Sequence, residues 1–274
     1  MTTEAGGQVR IGITGAAGRM GRTLVRAVGA RAECALVAAV EYDGSPALGA
    51  DAGVLAGVDA LGVPVGADLS AVLPEVDVVI DFTTPEATRR HAELCAAAGT
   101  ALVVGTTGLG EADHAALSAA AEQAPVVTAP NFSVGVNLAL RLVRLAAEVV
   151  GDDADIEIVE MHHRHKVDAP SGTALRMGEV VAEVLDRDLD AVAEHGRSGR
   201  GDPRARKAIG FHALRGGDVV GDHTVVFASE GERIEITHKA SDRMTFASGA
   251  VRAAVWAAAQ TPGAYGMDAV LGLE

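Results

Sequence analysis

An apolar run at residues 9–14, Val-Arg-Ile-Gly-Ile-Thr, passes directly into Gly15-Ala16-Ala17-Gly18-Arg19-Met20-Gly21, and that loop opens a helix-forming stretch. Strand, glycine turn and helix in this order predict the first βα unit of a parallel sheet with an anion-binding turn at its tip. Gly15 supplies the tight turn. Gly18 lets a pyrophosphate approach the helix N-terminus, where unpaired N–H groups and the helix dipole favour anions. Gly21 permits close packing of helix on strand. The spacing is GxxGxxG, and the chain has 33 glycines, so the triplet takes its weight from its setting. Glu41 closes a second apolar run, where an acid binds the adenosine ribose hydroxyls. Tyr42 follows it, so no adjacent cation is ready for a 2′-phosphate. The local chemistry leans to NADH, and Arg19 keeps dual use with NADPH open.

Strand-like and helix-like segments continue to alternate. Strands are predicted over 35–42, 76–82, 101–104 and 126–129, and helices over 19–28, 85–98 and 111–122. Such alternation implies βαβ units, and near-continuous apolar strands imply a sheet covered on both faces. Gly105-Thr106-Thr107-Gly108 and Ala129-Pro130-Asn131-Phe132 each follow a strand. Their small residues and free amides suit a nicotinamide, since ligands of such sheets sit beyond the strand carboxyl ends. The pattern then changes. A long helix to residue 150 precedes a strand over 155–161, a helix over 172–185, a polar stretch over 195–207 that reads as a mobile surface loop, and strands over 209–214, 219–228 and 233–238 joined as an antiparallel sheet. A helix over 246–259 is too apolar to stand alone and is expected to pack back on the first domain. The fold class is therefore α/β: a Rossmann-type parallel-sheet domain over 1–133, completed by 243–274, and a second α+β domain over 134–242 with a mostly antiparallel sheet.

Composition excludes several classes of function. The formal net charge of -14 argues against nucleic acid and anionic membrane as partners. Cys34 and Cys95 are the only cysteines among the 274 residues, too few for a disulfide framework, and they read as buried free thiols of a reducing compartment. The first residues, Met-Thr-Thr-Glu-Ala-Gly-Gly-Gln, carry no basic-then-apolar pattern, so no leader peptide is expected, and no apolar run nears the ~20 residues that span a bilayer. The cytoplasm is the expected compartment.

Against this acidic background, His162-His163-Arg164-His165-Lys166 is a dense basic island. A metal site is one reading, but adjacent histidines on a strand point to opposite faces and no HExxH or cysteine cluster accompanies them. A solvated loop is another. The third is an anion-binding catalytic site, which the residues that follow support. Pro170-Ser171-Gly172-Thr173 is a helix-start signature with Ser171 as N-cap, so the amides of Gly172 and Thr173 can grip a carboxylate. Lys166 and His163 add positive charge, and a histidine is suited to proton donation near neutrality with lysine as a second donor. Hydride from a nucleotide domain and protons from a cationic site suggest reduction of a small carboxylate-bearing C=C or C=N compound. A non-catalytic nucleotide sensor, a reductase for another small amino or imino acid, and a zinc hydrolase are the alternatives. They differ in turnover, substrate profile and metal content.

These motifs together, with Asp81-Phe-Thr83, Arg215-Gly-Gly217 and His238-Lys-Ala-Ser241, closely resemble the 4-hydroxy-tetrahydrodipicolinate reductase (dihydrodipicolinate reductase) family over nearly the whole chain. The run from Glu160 through Leu175 is the most specific part. The resemblance implies NAD(P)H-dependent reduction of a cyclic dicarboxylate in the diaminopimelate–lysine pathway. It implies His162 as proton donor with Lys166 as catalytic partner, and His163, Lys166, Ser171, Gly172 and Thr173 as substrate contacts. It implies Gly15 through Met20, Glu41, Gly105, Thr106, Thr107 and Ala129 through Phe132 as cofactor contacts, with no metal. It also implies a homotetramer assembled through the second domain's sheet, with two domains closing over substrate. Many members that accept NADPH carry Arg after the acid, where this chain has Tyr42.

Overall fold

The computed structural model describes residues 7–273, so the leader reading, which rests on the first residues, lies largely outside them. The chain forms two compact units, Met1–Val134 with Arg243–Glu274, and Gly135–Asp242.

The first unit begins with β1 (Val9–Thr14), α1 (Arg19–Gly29) and β2 (Cys34–Val40), then α2 (Ala52–Ala56), β3 (Val65–Gly66), α3 (Leu69–Val72), β4 (Val78–Asp81), α4 (Pro85–Ala98), β5 (Ala101–Val104), α5 (Glu111–Ala121) and β6 (Pro125–Thr128). Local chemistry sets several boundaries. Thr84 caps α4 through Ala87 N, Pro85 takes the first helical position, and Gly99 ends the helix at φ +68°. β2 stops one residue before Glu41, and β4 starts late because residues 73–75 form a 3₁₀ turn.

The second unit contains α6 (Val134–Val150), β7 (Asp155–His162), α7 (Gly172–Val184), α8 (Leu189–Val192), β8 (Ala193–His195), β9 (Ile209–Arg215), β10 (Gly221–Ser229) and β11 (Glu232–Ala240). The chain then returns to the first unit through α9 (Met244–Ala257), β12 (Gly263–Tyr265) and α10 (Met267–Leu271).

Among the described residues the first unit holds a seven-stranded sheet in the order β12-β6-β5-β4-β1-β2-β3, all parallel. The chain direction across the sheet reverses between β1 and β4. Every residue of β4 and β5 is buried, as two covered faces require. One face packs against α1 and α9, the other against α4 and α5. The expectation for the last helix holds: Ala247, Ala250, Ala253, Ala254 and Ala257 of α9 are fully buried, and alanine allows the close approach. Cys34 and Cys95 are free and buried, and burial pushes the Cys95 thiol up to about 12.

The second unit's five-stranded sheet runs β11-β10-β7-β9-β8. Its two antiparallel pairings, of nine and seven residue pairs, are longer than or equal to the parallel ones of seven and three, so the sheet is mixed and mostly antiparallel. Residues 209–214 and 219–228 do not form the expected hairpin. β7 lies between them, because its Ile156, Ile158 and Glu160 face needs a neighbour on both sides. The polar stretch over 195–207 also departs from a free loop. Arg197 and Arg204 reach back to Glu157 at 2.9 and 2.7 Å, and Arg204 also bonds Asp155 and the backbone carbonyls of Ile156, Ala205, Arg206 and Ala208. This pairing, with a hydrogen bond to His212, holds the Glu157 carboxyl at about 2 against the opposing pull of burial.

Candidate functional site

In the first unit, the reversal of strand order leaves a crevice beyond the carboxyl ends of β1 and β4. Gly15 turns the chain at φ +63°, and a Cβ there would come within 2.9 Å of Thr83 Cγ2. A Cβ on Gly21 would overlap Gly15 O and lie 2.7 Å from Ala16 Cα, so α1 packs on the loop only with glycine at this position. Gly18 is the N-cap of α1 and offers no side chain to the first turn, so the opening amides of α1 remain available to an anion. Glu41 Oε1 accepts Ala17 N at 2.8 Å, which ties the loop to the end of β2.

Two clefts of about 510 Å³ each share Phe82 and Thr83 as a common wall. Gly15, Gly18, Glu41 and Tyr42 line the first, with Asp43, Asp68, Arg90 and His91. Arg19, Met20, Gly105, Thr106, Thr107, Pro130, Asn131 and Phe132 line the second. Ala17 lies beside the first through its bond to Glu41. Ala16 and Ala129, expected among the contacts, stand behind the walls: both are buried, and their amides are committed to Val40 O and Val104 O. Gly105 is dictated by Phe82, whose ring occupies the space a Cβ would need. Thr83 closes the motif Asp81-Phe-Thr83, while Arg90 and His91 carry no motif of their own. The signal for them is the strand order, which places β4 at the reversal. Buried Asp81 organises this wall by accepting from Thr14 and Thr83 and meeting His91 Nδ1 at 3.1 Å. The glycine loop, open helix turn, acid and extended clefts fit a dinucleotide.

In the second unit, β7 alternates half-buried and buried residues, and the period of two brings Glu160 and His162 onto the same inward face as Ile156 and Ile158. Glu160 is 1% exposed and His162 8%. His162 Nδ1 meets Glu160 Oε2 at 2.6 Å. Arg215, opposite His162 in register on β9, grips both Glu160 oxygens at 2.8 Å. Ser171 N donates to Glu160 Oε1 at 3.1 Å. Burial pushes the Glu160 carboxyl up, but the Arg215 fork and the His162 ring outweigh it and hold the group below the usual carboxylate range. An ionised Glu160 only accepts, so His162 Nδ1 carries a hydrogen and Nε2 is the atom left to exchange a proton. Gly221 on β10 makes room for that atom, since a Cβ there would lie 2.9 Å from His162 Nε2.

Ser171 caps α7 as expected, accepting Ala174 N at 3.2 Å. Its place among direct substrate contacts needs correcting: it is 2% exposed, its amide is taken by Glu160, and its hydroxyl also meets His223 Nε2 at 2.9 Å. It supports the first turn from below. Gly172 is exposed, and a Cβ there would meet nothing within 4 Å, so the space above it is open. Thr173 is half-buried beside it. Lys166 Nζ is held by both oxygens of Asp168 at 2.8 Å. His163 is half-buried and its amide bonds Val219 O, while Arg164 and His165 are exposed. Glu160 and Arg215 stand in the sequence only as members of the motifs Glu160–Leu175 and Arg215-Gly-Gly217, and His223 stands in none. Glu160 is two residues before His162, and strand periodicity predicts their shared face; the other two depend on strand register. Among the described residues no three His, Cys, Asp or Glu side chains are grouped to hold a metal ion.

His223 is 4% exposed. Burial, then the neighbouring His162, pulls its ring down to about 4 from the ordinary 6.5. The unfolded chain therefore binds a proton at a pH where the folded protein does not. The stabilisation is complete above pH 6.5 and falls away toward pH 4. Between pH 7 and 4.5 urea unfolding is expected to show a loss of about 2–3 kcal/mol attributable to this ring. His223→Gln should flatten the slope, and an unchanged slope would contradict the assignment.

Family models and sequence relatives match the chain over both units. The family description "Dihydrodipicolinate reductase, N-terminus" matches residues 9–132, and "Dihydrodipicolinate reductase, C-terminus" matches 135–271. A 4-hydroxy-tetrahydrodipicolinate reductase of Alkalilimnicola ehrlichii is 61% identical over 264 residues, covering 96% of this chain and 99% of that one. One from Pseudomonas fluorescens is 58% identical over 266 residues, covering 97% and 99%. Among solved structures, a dipicolinate-bound dihydrodipicolinate reductase from Paenisporosarcina superposes with a TM-score of 0.76 at 26% identity, covering 96% of this chain and 99% of that one. With matches over both units and such identity along almost the full length, the chain belongs to the dihydrodipicolinate reductase family.

Proposed function

We infer that this chain catalyses the NAD(P)H-dependent reduction of 4-hydroxy-tetrahydrodipicolinate to tetrahydrodipicolinate, a step of diaminopimelate and lysine biosynthesis. The observation that carries this reading in the molecule is the Glu160-anchored His162 in the same unit as the Ser171-capped start of α7, where Gly172 is exposed. Overall one hydride and one proton are added and the 4-hydroxyl leaves as water. When bound, the reduced nicotinamide supplies the hydride. The amides of Gly172 and Thr173, with His163, receive substrate carboxylate. Lys166 exchanges its Asp168 partner for the dianion and adds positive charge. His162 delivers the proton from Nε2 while Glu160 stabilises the charged ring. The loop from Gly15 to Met20 would hold the pyrophosphate, Glu41 the ribose, and the walls at Gly105–Thr107 and 130–132 the nicotinamide end. The first unit is thus the dinucleotide-binding domain and the second the substrate domain. A steady-state assay with the dicarboxylate and each nicotinamide tests it, and no turnover with either would overturn it.

NADH is the preferred donor in this reading. Glu41, Asp43 and Asp68 line one cleft, and the exposed Tyr42 stands where a cation would meet a 2′-phosphate. Tyr42→Arg is expected to move the ratio of kcat/KM toward NADPH by about tenfold, the worth of one good ionic contact; an unmoved ratio would shift the determinant elsewhere.

The assembly is a homotetramer formed through the second unit's sheet. In support, Met161 and Leu214 pair in register on the side opposite the His162 face, and Leu214 is 45% exposed. Light scattering at assay concentrations should give four times the chain mass. A reducing cytoplasm is the compartment, supported by the two buried free thiols. Among the described residues no helix is long and apolar enough to cross a membrane.

A further inference from the structure

We propose that His223 is a positioning residue for this reaction, holding through Ser171 the helix cap from which Gly172 and Thr173 present their amides to the substrate carboxylate. The proposal rests on the reading of α7 given above. His223 lies on β10 directly opposite Glu160 in register and is 4% exposed. Its Nε2 is 2.9 Å from Ser171 Oγ. Ser171 is thereby fixed at three points: its amide on Glu160, its hydroxyl under Ala174 N, and the same hydroxyl on His223. The first two bonds suffice for a helix cap. The third requires an imidazole to be buried, and an apolar side chain would fill that volume without the cost of desolvating a polar ring.

The same ring stands edge-on to His162, with centroids 5.1 Å apart. One side chain therefore touches both the proton donor and the cap of the carboxylate site. β10 is shaped around the two rings: a Cβ on Gly221 would lie 2.9 Å from His162 Nε2 and 3.5 Å from His223 Cε1. Through these contacts a displacement of His223 would tilt the first turn of α7 and shift His162 together. Small misplacements of this kind degrade binding and alignment far more than they degrade folding.

The test compares His223→Gln with His223→Asn. Glutamine carries an amide to the level of Nε2 and can keep the bond to Ser171; asparagine is too short to reach. Both are polar and both fit the volume, so a merely structural role would treat them alike. Steady-state kinetics with 4-hydroxy-tetrahydrodipicolinate and NADH should show the dicarboxylate KM of His223→Asn raised about tenfold, the worth of one buried hydrogen bond. The NADH KM should stay unchanged, and His223→Gln should recover most of the loss. A dicarboxylate KM within about twofold of wild type for His223→Asn would overturn the proposal, as would equal impairment of the two variants. If His223→Asn does not fold, His223→Leu, which fills the volume without a polar atom and leaves the Ser171 cap on Ala174 N in place, is measured instead with the same expected KM rise. If wild type itself does not turn over the dicarboxylate, the functional reading fails; if it does and the two variants behave alike, only the role of His223 fails.

Discussion

His162→Ala is expected to lower kcat for the dicarboxylate by about 10²–10⁴-fold, the usual contribution of one positioned general acid. The KM for NADH should be unchanged, because the ring belongs to the second unit and none of the residues lining the two clefts proposed for the cofactor comes from there. Nδ1 is bonded to an ionised Glu160, so only Nε2 can give up a proton, and Gly221 leaves that atom uncrowded. Lys166→Ala should act differently. Its ammonium is paired with the exposed Asp168, so its removal should raise the dicarboxylate KM as well as lower kcat. Near wild-type kcat in both variants would remove both residues from the chemistry.

Glu160→Ala should have the largest effect on stability, about 3–5 kcal/mol by urea unfolding, the cost of breaking one side of a buried ion pair. Glu160 is 1% exposed and accepts from His162, twice from Arg215, and from Ser171 N. Its loss removes the counter-charge of the Arg215 guanidinium, which keeps only the carbonyls of Leu214 and Asp168, and leaves the buried Ser171 amide without its acceptor. Because the folded carboxyl titrates below its usual range, this contribution is present above the ordinary carboxylate pKa and is lost as the pH falls through the folded value. Glu160→Gln should keep the shape but put an NH₂ group where donors converge. His162 would lose its tautomeric bias, and kcat should fall by about 10²-fold or more. A Glu160→Gln enzyme with normal kcat would show that the carboxylate serves only the fold.

Most elements of the first unit are legible as local patterns. α4 is readable to the residue because Thr84, Pro85 and Gly99 mark its ends with different chemistry, and β5 is a plain apolar run between turns. β12 is not legible locally: Gly263, Ala264 and Tyr265 carry no strand signal, and pairing with β6 makes them a strand. In the second unit, three β-like segments in succession read as a meander. The structure inserts β7 between β9 and β10 because the apolar face of β7 is more fully buried at the centre of the sheet. The arginines of 195–207 look like a solvated loop until Glu157, some forty residues earlier, is placed within their reach.

The glycine loop, Glu41, the basic island and the Ser171 cap are short-range devices. Each acts within one or two turns of chain, through backbone conformation, helix-end amides or side-chain charge, so the order of residues is enough to specify them. Pairings across strands are different. Arg215 under His162, His223 opposite Glu160 and Ser171 within reach of both depend on which strands are neighbours and in what register. That choice is settled by burying Ile156, Ile158, Phe211 and Phe227 together in one core, a sum over contacts far apart in the chain. Local pattern could therefore point to the basic island and to the helix start at Ser171, while the buried network around His162 emerges only when the sheet is assembled.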